Sequence, residues 1–312
     1  MELKEYTLLP RDELLKRIDT ARKERNAVIL AHNYQRIEVQ QIADFRGDSL
    51  ELARRATQLD ATVIVFCGVM FMAEVAKILN PARTVLIPEI QAGCPLAAYA
   101  AVEDLITLKR EYPEHAVVTY VNSTAEIKAE SDVVCTSANS VKIVESFPHE
   151  RGIIFAPDKN LCYHTRKITG RQNIVCWDGN CYVHDRFTIA DLRKSKIEYP
   201  EATIIVHPEC PPKVQDSADM VASTGGMYRY VKEHPGEPVV LGTEVGMFER
   251  LCDEFPETPV YPMTPYAICS NMKLITLEKI ARALEQNHYP VAVPDEIADR
   301  ARTAIERMLE VK

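Results

Sequence analysis

The sequence lacks a long hydrophobic run, and this absence limits where the protein can work. Its longest apolar stretch, from Thr62 to Leu79, is interrupted by Glu74 and Lys77, so it predicts no transmembrane helix. Residues 1–25 are charged and helical in pattern, without the apolar core of a signal peptide. We therefore expect neither secretion nor membrane attachment, and a cytoplasmic location.

Aromatic residues and clustered positive charge are also scarce. The 312 residues are 7% aromatic, carry a net charge of −8 and contain no basic block. A nucleic-acid surface needs clustered lysine and arginine to neutralise phosphates, so the composition argues against such a partner. Because 46% of the residues are apolar, the chain can bury ample core in two or three modest domains. The expected partners are small molecules.

Nine cysteines are present, yet no two of them form a CxxC pair. That absence weighs against radical-type clusters and paired-cysteine zinc ribbons. In a chain without an export signal, an odd number of cysteines favours reduced thiols, either buried or bound to metal, over a disulfide framework.

Three of the cysteines mark an internal repeat. Cys94, Cys181 and Cys269 are separated by 87 and 88 residues. Three similar units that each present one thiolate can close around a single metal centre. Other landmarks recur at nearly the same interval: the apolar runs that start at Ala27, Ala116 and Ala202, the hydroxyl residues Ser49, Ser137 and Thr224, and the dipeptides Tyr112-Pro113, Tyr199-Pro200 and Tyr289-Pro290.

Each copy alternates short β-rich runs with amphipathic stretches, which is typical of parallel sheets covered by helices. Three sets of four predicted strands argue against a single eight-stranded barrel. We predict an α/β fold of three similar doubly wound units, each with a four-stranded parallel sheet, arranged with pseudo-threefold symmetry around a central iron–sulfur cluster. The predicted boundaries are 1–113 with an N-terminal helix, 114–200, 201–290, and 291–312 as a closing helix. The predicted helices include Ser49 to Leu59, Met272 to Glu285 and Pro294 to Leu309.

Polar residues end the first predicted strand of each copy. In open parallel sheets, ligands bind outside the carboxyl ends of strands. A hydroxyl near the next helix N-terminus can help backbone N–H groups to hold a carboxylate or phosphate. If the three units face a common axis, these groups and the three thiolates line one cavity. The strand-end residues are His32, Tyr34, Tyr120, Asn122, His207 and Glu209, and the hydroxyl residues are Ser49, Ser137 and Thr224.

Three thiolates without a fourth protein ligand suit a [4Fe-4S] cluster whose unique iron can act as a Lewis acid. A zinc hydrolase or aldolase with the same cavity, and a non-catalytic iron–sulfur sensor, are the alternatives. The other cysteines have no partners at matching positions and are predicted to be core thiols, with Cys210 close enough to His207 and Glu209 to be a candidate pocket residue. These cysteines are Cys67, Cys135, Cys162, Cys176, Cys210 and Cys252.

Several strand-end residues have two interpretations. His32 and His207 suit ligand binding or proton transfer, because imidazole titrates near neutrality, but each can also be a structural histidine. Glu209 is a candidate general base, or a solvated surface carboxylate. Tyr34 and Tyr120 are candidate site residues or ordinary strand-end aromatics.

Ten short motifs occur in order between about Ala27 and Glu278. They are AHNYQ at 31–35, GDSLELA at 47–53, AGCPLA at 92–97, YVNSTAEIKAESD at 120–132, CTSANS at 135–140, DGNCYVH at 178–184, HPEC at 207–210, STGGM at 223–227, GTEVGM at 242–247 and ICSNMK at 268–273. Together these motifs resemble the quinolinate synthase (NadA) family over nearly the whole chain.

The resemblance implies a transferase of de novo NAD biosynthesis that condenses iminoaspartate (iminosuccinate) with dihydroxyacetone phosphate to give quinolinate, phosphate and water. It also implies an oxygen-sensitive [4Fe-4S] cluster held by Cys94, Cys181 and Cys269, with its unique iron as Lewis acid, at the centre of three similar α/β units. A transient contact with the enzyme that supplies iminoaspartate would fit this pathway.

The resemblance also implies roles for individual residues. Tyr34 and Glu209 match residues with acid–base roles, and His32 and His207 are expected to share in proton transfer. Some members carry a C-terminal CxxCxxC run, whereas Cys269 stands alone in its loop, so there is no basis for a disulfide switch in that segment. The positions that match iminoaspartate-binding residues are His32, Ser49, Tyr120, Val121, Asn122, Ser137, His207, Pro208, Glu209 and Thr224.

Overall fold

A computed structural model describes residues 1–58 and 60–311, which fall into two compact units. The first unit contains residues 1–94 and 269–298, and the second contains residues 95–268 with the residues after 298. Within the described ranges, no helix is both long and apolar enough to cross a membrane.

The first set of four strands lies in the first unit and follows two N-terminal helices. Its first strand contains the run AVILAH, which is buried almost throughout, as expected for a strand covered on both faces. Its elements are α1 Leu3–Tyr6, α2 Arg11–Glu24, β1 Ala27–His32, α3 Ile37–Ile42, β2 Phe45–Gly47, α4 Ser49–Thr57, β3 Val63–Cys67, α5 Met70–Leu79 and β4 Thr84–Leu86.

The second and third sets of four strands both lie in the second unit and repeat the same alternation. Helix α6 Val102–Glu111 leads into the second set, whose elements are β5 Ala116–Tyr120, α7 Ala125–Ala129, β6 Val133–Cys135, α8 Ser140–Glu145, β7 Ile153–Ala156, α9 Lys159–Thr169 and β8 Ile174–Cys176. Helix α10 Ile189–Glu198 leads into the third set, whose elements are β9 Thr203–Val206, α11 Pro212–Ser217, β10 Met220–Val221, α12 Thr224–Glu233, β11 Val239–Gly242, α13 Val245–Glu254 and β12 Val260–Pro262. Two helices complete the chain, α14 Leu277–Gln286 and α15 Asp295–Glu310.

Each set of four strands forms its own parallel sheet. The strand orders are β2-β1-β3-β4, β6-β5-β7-β8 and β10-β9-β11-β12. The first strand of each set is therefore paired on both sides, in register with the second and the third strand. The predicted α/β class, with three similar four-stranded parallel sheets, is confirmed.

An aspartate fixes the crossover from the first to the second strand of every sheet. In the second copy, Oδ2 of Asp132 accepts the backbone N–H of Val117 at 2.8 Å, and the N–H of Asp132 donates to the Val117 carbonyl at 3.0 Å. In all three copies the aspartate follows its partner by 15 residues. The repeat seen in the sequence spacing is therefore also present in individual hydrogen bonds. The equivalent pairs are Asp44 with Ile29 and Asp219 with Ile204.

The segment predicted as one helix from Met272 to Glu285 is divided. A short 3-10 helix spans Met272–Leu274, and α14 begins only at Leu277. Thr276 between them has extended backbone, with φ −132° and ψ 167°, so the two helices cannot be continuous. The helix predicted from Pro294 to Leu309 is present as α15. The predicted helix end at Leu59 and the last residue of the predicted segment 291–312 lie outside the described residues.

Two cysteines that were predicted to be core thiols form a disulfide. Cys162 on α9 is bonded to Cys176 at the end of β8, with Cα atoms 5.9 Å apart. The prediction was wrong for this pair because α9 leads into β8, which brings side chains 14 residues apart into contact. Of the other predicted core thiols, Cys67, Cys135 and Cys210 are buried and Cys252 is half-buried.

We expect Asp132→Ala to lower the free energy of unfolding by about 1–3 kcal/mol, because the N–H of Val117 loses its carboxylate acceptor inside the unit. Equilibrium unfolding in urea measures the change. The matched control is Asp178→Ala, whose carboxylate is 90% exposed and pairs with Lys159 at 3.0 Å. An exposed ion pair of this kind contributes less than about 1 kcal/mol. Equal losses in the two variants would contradict a structural role for the repeated aspartate.

Candidate active site

The strand order of each sheet determines where a ligand can bind. Each of β1, β5 and β9 is paired on both sides, so the chain leaves it and its neighbour in opposite directions. Parallel sheets with this strand order bind ligands at the carboxyl ends of those strands. The predicted site residues of each copy occupy this point. His32 ends β1, Tyr120 ends β5, and His207 follows β9 directly.

In the first unit the structure brings His32 and Tyr34 together. Their rings meet edge to face, with centroids 4.7 Å apart, and both side chains are buried. The backbone N–H of Tyr34 donates to Nδ1 of His32 at 3.2 Å, so the ring proton of a neutral His32 lies on Nε2. Tyr34 is thus positioned by its own strand-end histidine.

In the second unit Glu209 is the centre of a buried polar cluster. Oε2 of Glu209 lies 2.8 Å from Nδ1 of His184 and 3.3 Å from Nδ1 of His207, and the two imidazole rings stack with centroids 4.5 Å apart. Nε2 of His184 lies 3.0 Å from Oγ1 of Thr243. Nδ2 of Asn122 approaches Oε1 of Glu209 at 3.5 Å. The interpretation of Glu209 as a solvated surface carboxylate is therefore wrong.

The surroundings of Glu209 favour its ionised form. Burial alone would raise the pKa of Glu209, but the charge and hydrogen bond of His184, with a smaller contribution from the nearby His207, outweigh burial and hold this pKa below its usual range. Burial, followed by the charge of His184, lowers the pKa of His207. The site therefore combines a carboxylate with imidazole groups, a set that can accept and pass on protons.

A second carboxyl group, Asp158, lies behind this cluster. Its Oδ1 accepts the N–H of Leu161 at 2.7 Å and its Oδ2 accepts the N–H of Cys181 at 3.2 Å. Burial, and then the negative charge of Glu209, raise the pKa of Asp158 well above its usual range. Two carboxyl groups with pKa values shifted in opposite directions are the pattern expected of an acid–base pair.

The three repeat cysteines occupy equivalent loops. Each loop follows the fourth strand of its copy and leads, two or three residues later, into a short 3-10 helix. Cys94 and Cys269 lie in the first unit and Cys181 lies in the second. All three are half-buried, whereas burial raises the pKa of Cys67 and Cys135, which keeps those two as thiols. Accessible thiols in matching loops fit the ligands of an iron–sulfur cluster, because the thiolate is the form that binds metal.

Cys181 also belongs to a different group of potential metal ligands. Its ligand atom and those of His184 and Glu209 lie within 4.8 Å of one another. Sγ of Cys181 lies 3.2 Å from Nδ1 of His184. A cysteine, a histidine and a carboxylate are also ligands that zinc accepts, so the residues of the second unit alone fit a zinc ion as well.

The remaining predicted residues lie in or near the loops that follow the first and second strands of their own copies. Tyr120, Val121 and Pro208 are buried in the strand-end loops. Cys210 is fully buried, with its thiol donating to the Gly242 carbonyl, so it does not line a pocket. The hydroxyl residues lie two or three residues beyond the second strands; they are Ser49, Ser137 and Thr224.

Sequence reasoning missed four residues of the cluster. Asp158 and Asn160 follow β7, and Thr243 follows β11, so they lie at the carboxyl ends of third strands. The rule that ligands bind at such ends would have indicated them if it had been applied beyond the first strands. The sequence indicates His184 less clearly, because the residue is distinguished only by its position three residues after Cys181.

Comparisons with known proteins identify the family of the chain. Residues 16–310 match the family model described as quinolinate synthetase A protein. The quinolinate synthase of Pyrococcus abyssi is 53% identical over 300 residues, which cover 96% of this chain and 99% of the relative. That of Thermodesulfovibrio yellowstonii is 50% identical over 288 residues, covering 92% and 95%, and that of Methanothermobacter thermautotrophicus is 48% identical over 302 residues, covering 96% and 99%. The chain therefore belongs to the quinolinate synthase family of enzymes.

Proposed function

We propose that this protein condenses iminoaspartate with dihydroxyacetone phosphate to give quinolinate, phosphate and water in NAD biosynthesis. The observation that carries the proposal is the equivalence of the three cysteine loops in a chain of the quinolinate synthase family. We further propose a cytoplasmic location, and a transient contact with the enzyme that supplies iminoaspartate.

The proposed architecture is that of three units, 1–113, 114–200 and 201–290, with 291–312 as a closing helix. They would be arranged with pseudo-threefold symmetry around the metal centre. The triplicated strand order and the triplicated aspartate contact support this division into units.

Cys94, Cys181 and Cys269 are the proposed ligands of a [4Fe-4S] cluster. When bound, this group supplies a Lewis acid, the iron that has no protein ligand. The half-buried thiols in matching loops support this assignment.

The chain itself would bind and orient the substrates. We assign the carboxylates of iminoaspartate to hydroxyl groups and to backbone N–H groups in the first turns of α4 and α12, where Ser49 and Thr224 are the first residues. The other proposed contacts are His32, Tyr120, Val121, Asn122, Ser137, His207, Pro208 and Glu209. Burial of most of these side chains would exclude water from the condensation.

Proton transfer would fall to Tyr34, Glu209 and the histidines. The ionised carboxylate of Glu209 accepts a proton from the substrate, and His184 is a positioning residue that holds Oε2 at 2.8 Å. The hydroxyl of Thr243 in turn fixes the other nitrogen of His184. Tyr34 and His32 would act on the second reacting group, and His207, whose pKa is lowered, would act as neutral imidazole.

A zinc hydrolase or aldolase is the second candidate, and one observation favours it. The ligand atoms of Cys181, His184 and Glu209 lie within 4.8 Å of one another without help from the first unit. The two candidates predict different metal ligands, because only the cluster needs Cys94 and Cys269.

We expect Cys94→Ser, Cys181→Ser and Cys269→Ser each to lose most of the cluster, since serine does not replace a thiolate ligand to iron–sulfur. After anaerobic reconstitution, the wild-type protein should contain about four iron atoms per chain and absorb visible light. Iron analysis, visible absorbance and quinolinate formation are measured together.

The control for this series is Cys252→Ser, because Cys252 is also half-buried but lies on α13. It should keep both iron and activity. Zinc retained in Cys94→Ser and lost in Glu209→Gln would instead favour the zinc enzyme. Iron without quinolinate formation in the wild-type protein would favour a sensor.

We expect Glu209→Gln to lower kcat by roughly 10²–10⁴-fold, the range for loss of a general base. Iron content should stay near that of the wild-type protein, because the amide has the shape of the carboxyl group and Glu209 is not a cluster ligand. Steady-state kinetics on reconstituted protein measure the effect, with the exposed Glu201→Gln as the matched control. A Glu209→Gln variant with full kcat would rule out the assigned role.

A further inference from the structure

A buried polar side chain stands at the same position after the first strand of every copy. Each follows the strand-end residue by eight positions: Gln40 follows His32, Lys128 follows Tyr120, and Gln215 follows His207. The three side chains lie on the short helices α3, α7 and α11, and all are buried. Buried polar groups require hydrogen-bond partners, so the partners indicate the purpose of these residues.

The two glutamines bind the same carbonyl groups of their loops. Nε2 of Gln40 donates to the carbonyl oxygens of Asn33 at 3.1 Å and Gln35 at 3.0 Å. Nε2 of Gln215 donates to the carbonyl oxygens of the equivalent residues, Pro208 at 2.9 Å and Cys210 at 2.7 Å.

The second copy makes the corresponding contact with an amine in place of an amide. Nζ of Lys128, which is fully buried, donates to the carbonyl oxygen of Ser123. Ser123 occupies the same place in its loop as Gln35 and Cys210 do in theirs. What the three copies share is therefore a buried N–H donor aimed at a loop carbonyl.

The carbonyl groups that are held flank the residues proposed to act on the substrate. Asn33 and Gln35 lie on either side of Tyr34, and Pro208 and Cys210 lie on either side of Glu209. A hydrogen bond to the peptide on each side fixes the backbone dihedrals of the residue between them, and hence the direction of its side chain. In the third copy the same Nε2 also reaches the carbonyl oxygen of Asn160 at 3.1 Å. Asn160 Nδ2 in turn donates to the carbonyl oxygen of Glu209 at 3.0 Å.

We propose that Gln40, Lys128 and Gln215 are a triplicated set of positioning residues that fix the loops presenting Tyr34, Asn122 and Glu209. That these loops take part in catalysis rests on the proposed function. That the three side chains hold the loops in place does not depend on it. Since lysine serves in one copy and glutamine in two, the requirement is a donor of suitable reach.

The test compares Gln215→Met with Gln215→Lys. Methionine has a similar length but no donor, whereas lysine is the residue that the second copy uses. Hydrogen–deuterium exchange reports on the loop directly, because Pro208 and Pro211 have no N–H and the amides of Glu209 and Cys210 are the ones that respond. The N–H of Glu209 donates to Nδ1 of His207 at 3.3 Å, and the N–H of Cys210 donates to the carbonyl oxygen of His207 at 2.9 Å.

In Gln215→Met we expect exchange at Glu209 and Cys210 to rise about tenfold or more, while the amides of β9 keep their wild-type rates. In Gln215→Lys most of the protection should return. The exposed Gln172→Met should leave these rates unchanged. If the methionine variant does not fold, Lys128→Met and Lys128→Gln provide the same comparison in the loop that contains Ser123.

Unchanged exchange at Glu209 and Cys210 in the methionine variant would overturn the proposal. Exchange in Gln215→Lys as fast as in Gln215→Met would also overturn it. So would an equal rise in exchange at the amides of β9 and of the loop, because that result indicates general destabilisation. Quinolinate formation is measured separately, and kcat should fall in Gln215→Met with iron content retained. If the wild-type protein forms no quinolinate, the proposed function fails while the exchange result still decides the role of Gln215.

Discussion

The candidate site depends on one constraint, the central position of the first strand in each parallel sheet. Because β1, β5 and β9 have neighbours on both sides, their carboxyl ends open into a crevice, and only a few residues separate each strand from the next helix. Such short loops have little freedom, but their backbone polar groups are buried and need partners. The repeated aspartates hold the register of these strands, so the loops that carry the chemistry start from fixed points.

The sheets could be predicted from the sequence because short apolar runs such as AVILAH at 27–32, alternating with amphipathic stretches, are typical of strands covered on both faces. The short helices between first and second strands could not, since five or six residues are too few to display a helical period. His184 was missed for a different reason. The repeat places Ala97 and Met272 at its equivalent positions, so only the contact with Glu209, formed between two copies, reveals its role. The disulfide between Cys162 and Cys176 likewise has no counterpart in the other copies.

The three copies share a backbone and differ in chemistry. The residue that precedes Ser49, Ser137 or Thr224 is Asp48, Thr136 or Ser223, and each of the three can accept hydrogen bonds from backbone N–H groups. At the strand ends, by contrast, the pairs are histidine with tyrosine, tyrosine with asparagine, and histidine with glutamate. A symmetric scaffold cannot by itself distinguish the two ends of an asymmetric substrate. In the proposed function the distinction would come from these side chains, while the residues that support the loops can stay similar.

Only the third copy places an acidic side chain, Glu209, at the end of its first strand. Neighbouring groups offset the free-energy cost of burying that charge. Glu209 is stabilised by the side chains of His184 and His207, whereas Asp158 is held only by uncharged backbone N–H groups and feels the negative charge of Glu209. The pKa values of the two carboxyl groups are therefore shifted in opposite directions, that of Glu209 downward and that of Asp158 upward. Because both are oriented by backbone contacts, through the carbonyl of Glu209 to Asn160 and the N–H groups that bind Asp158, a change in either loop alters the balance between them. The pKa values of these two carboxyl groups thus depend on the backbone of the loops that hold them.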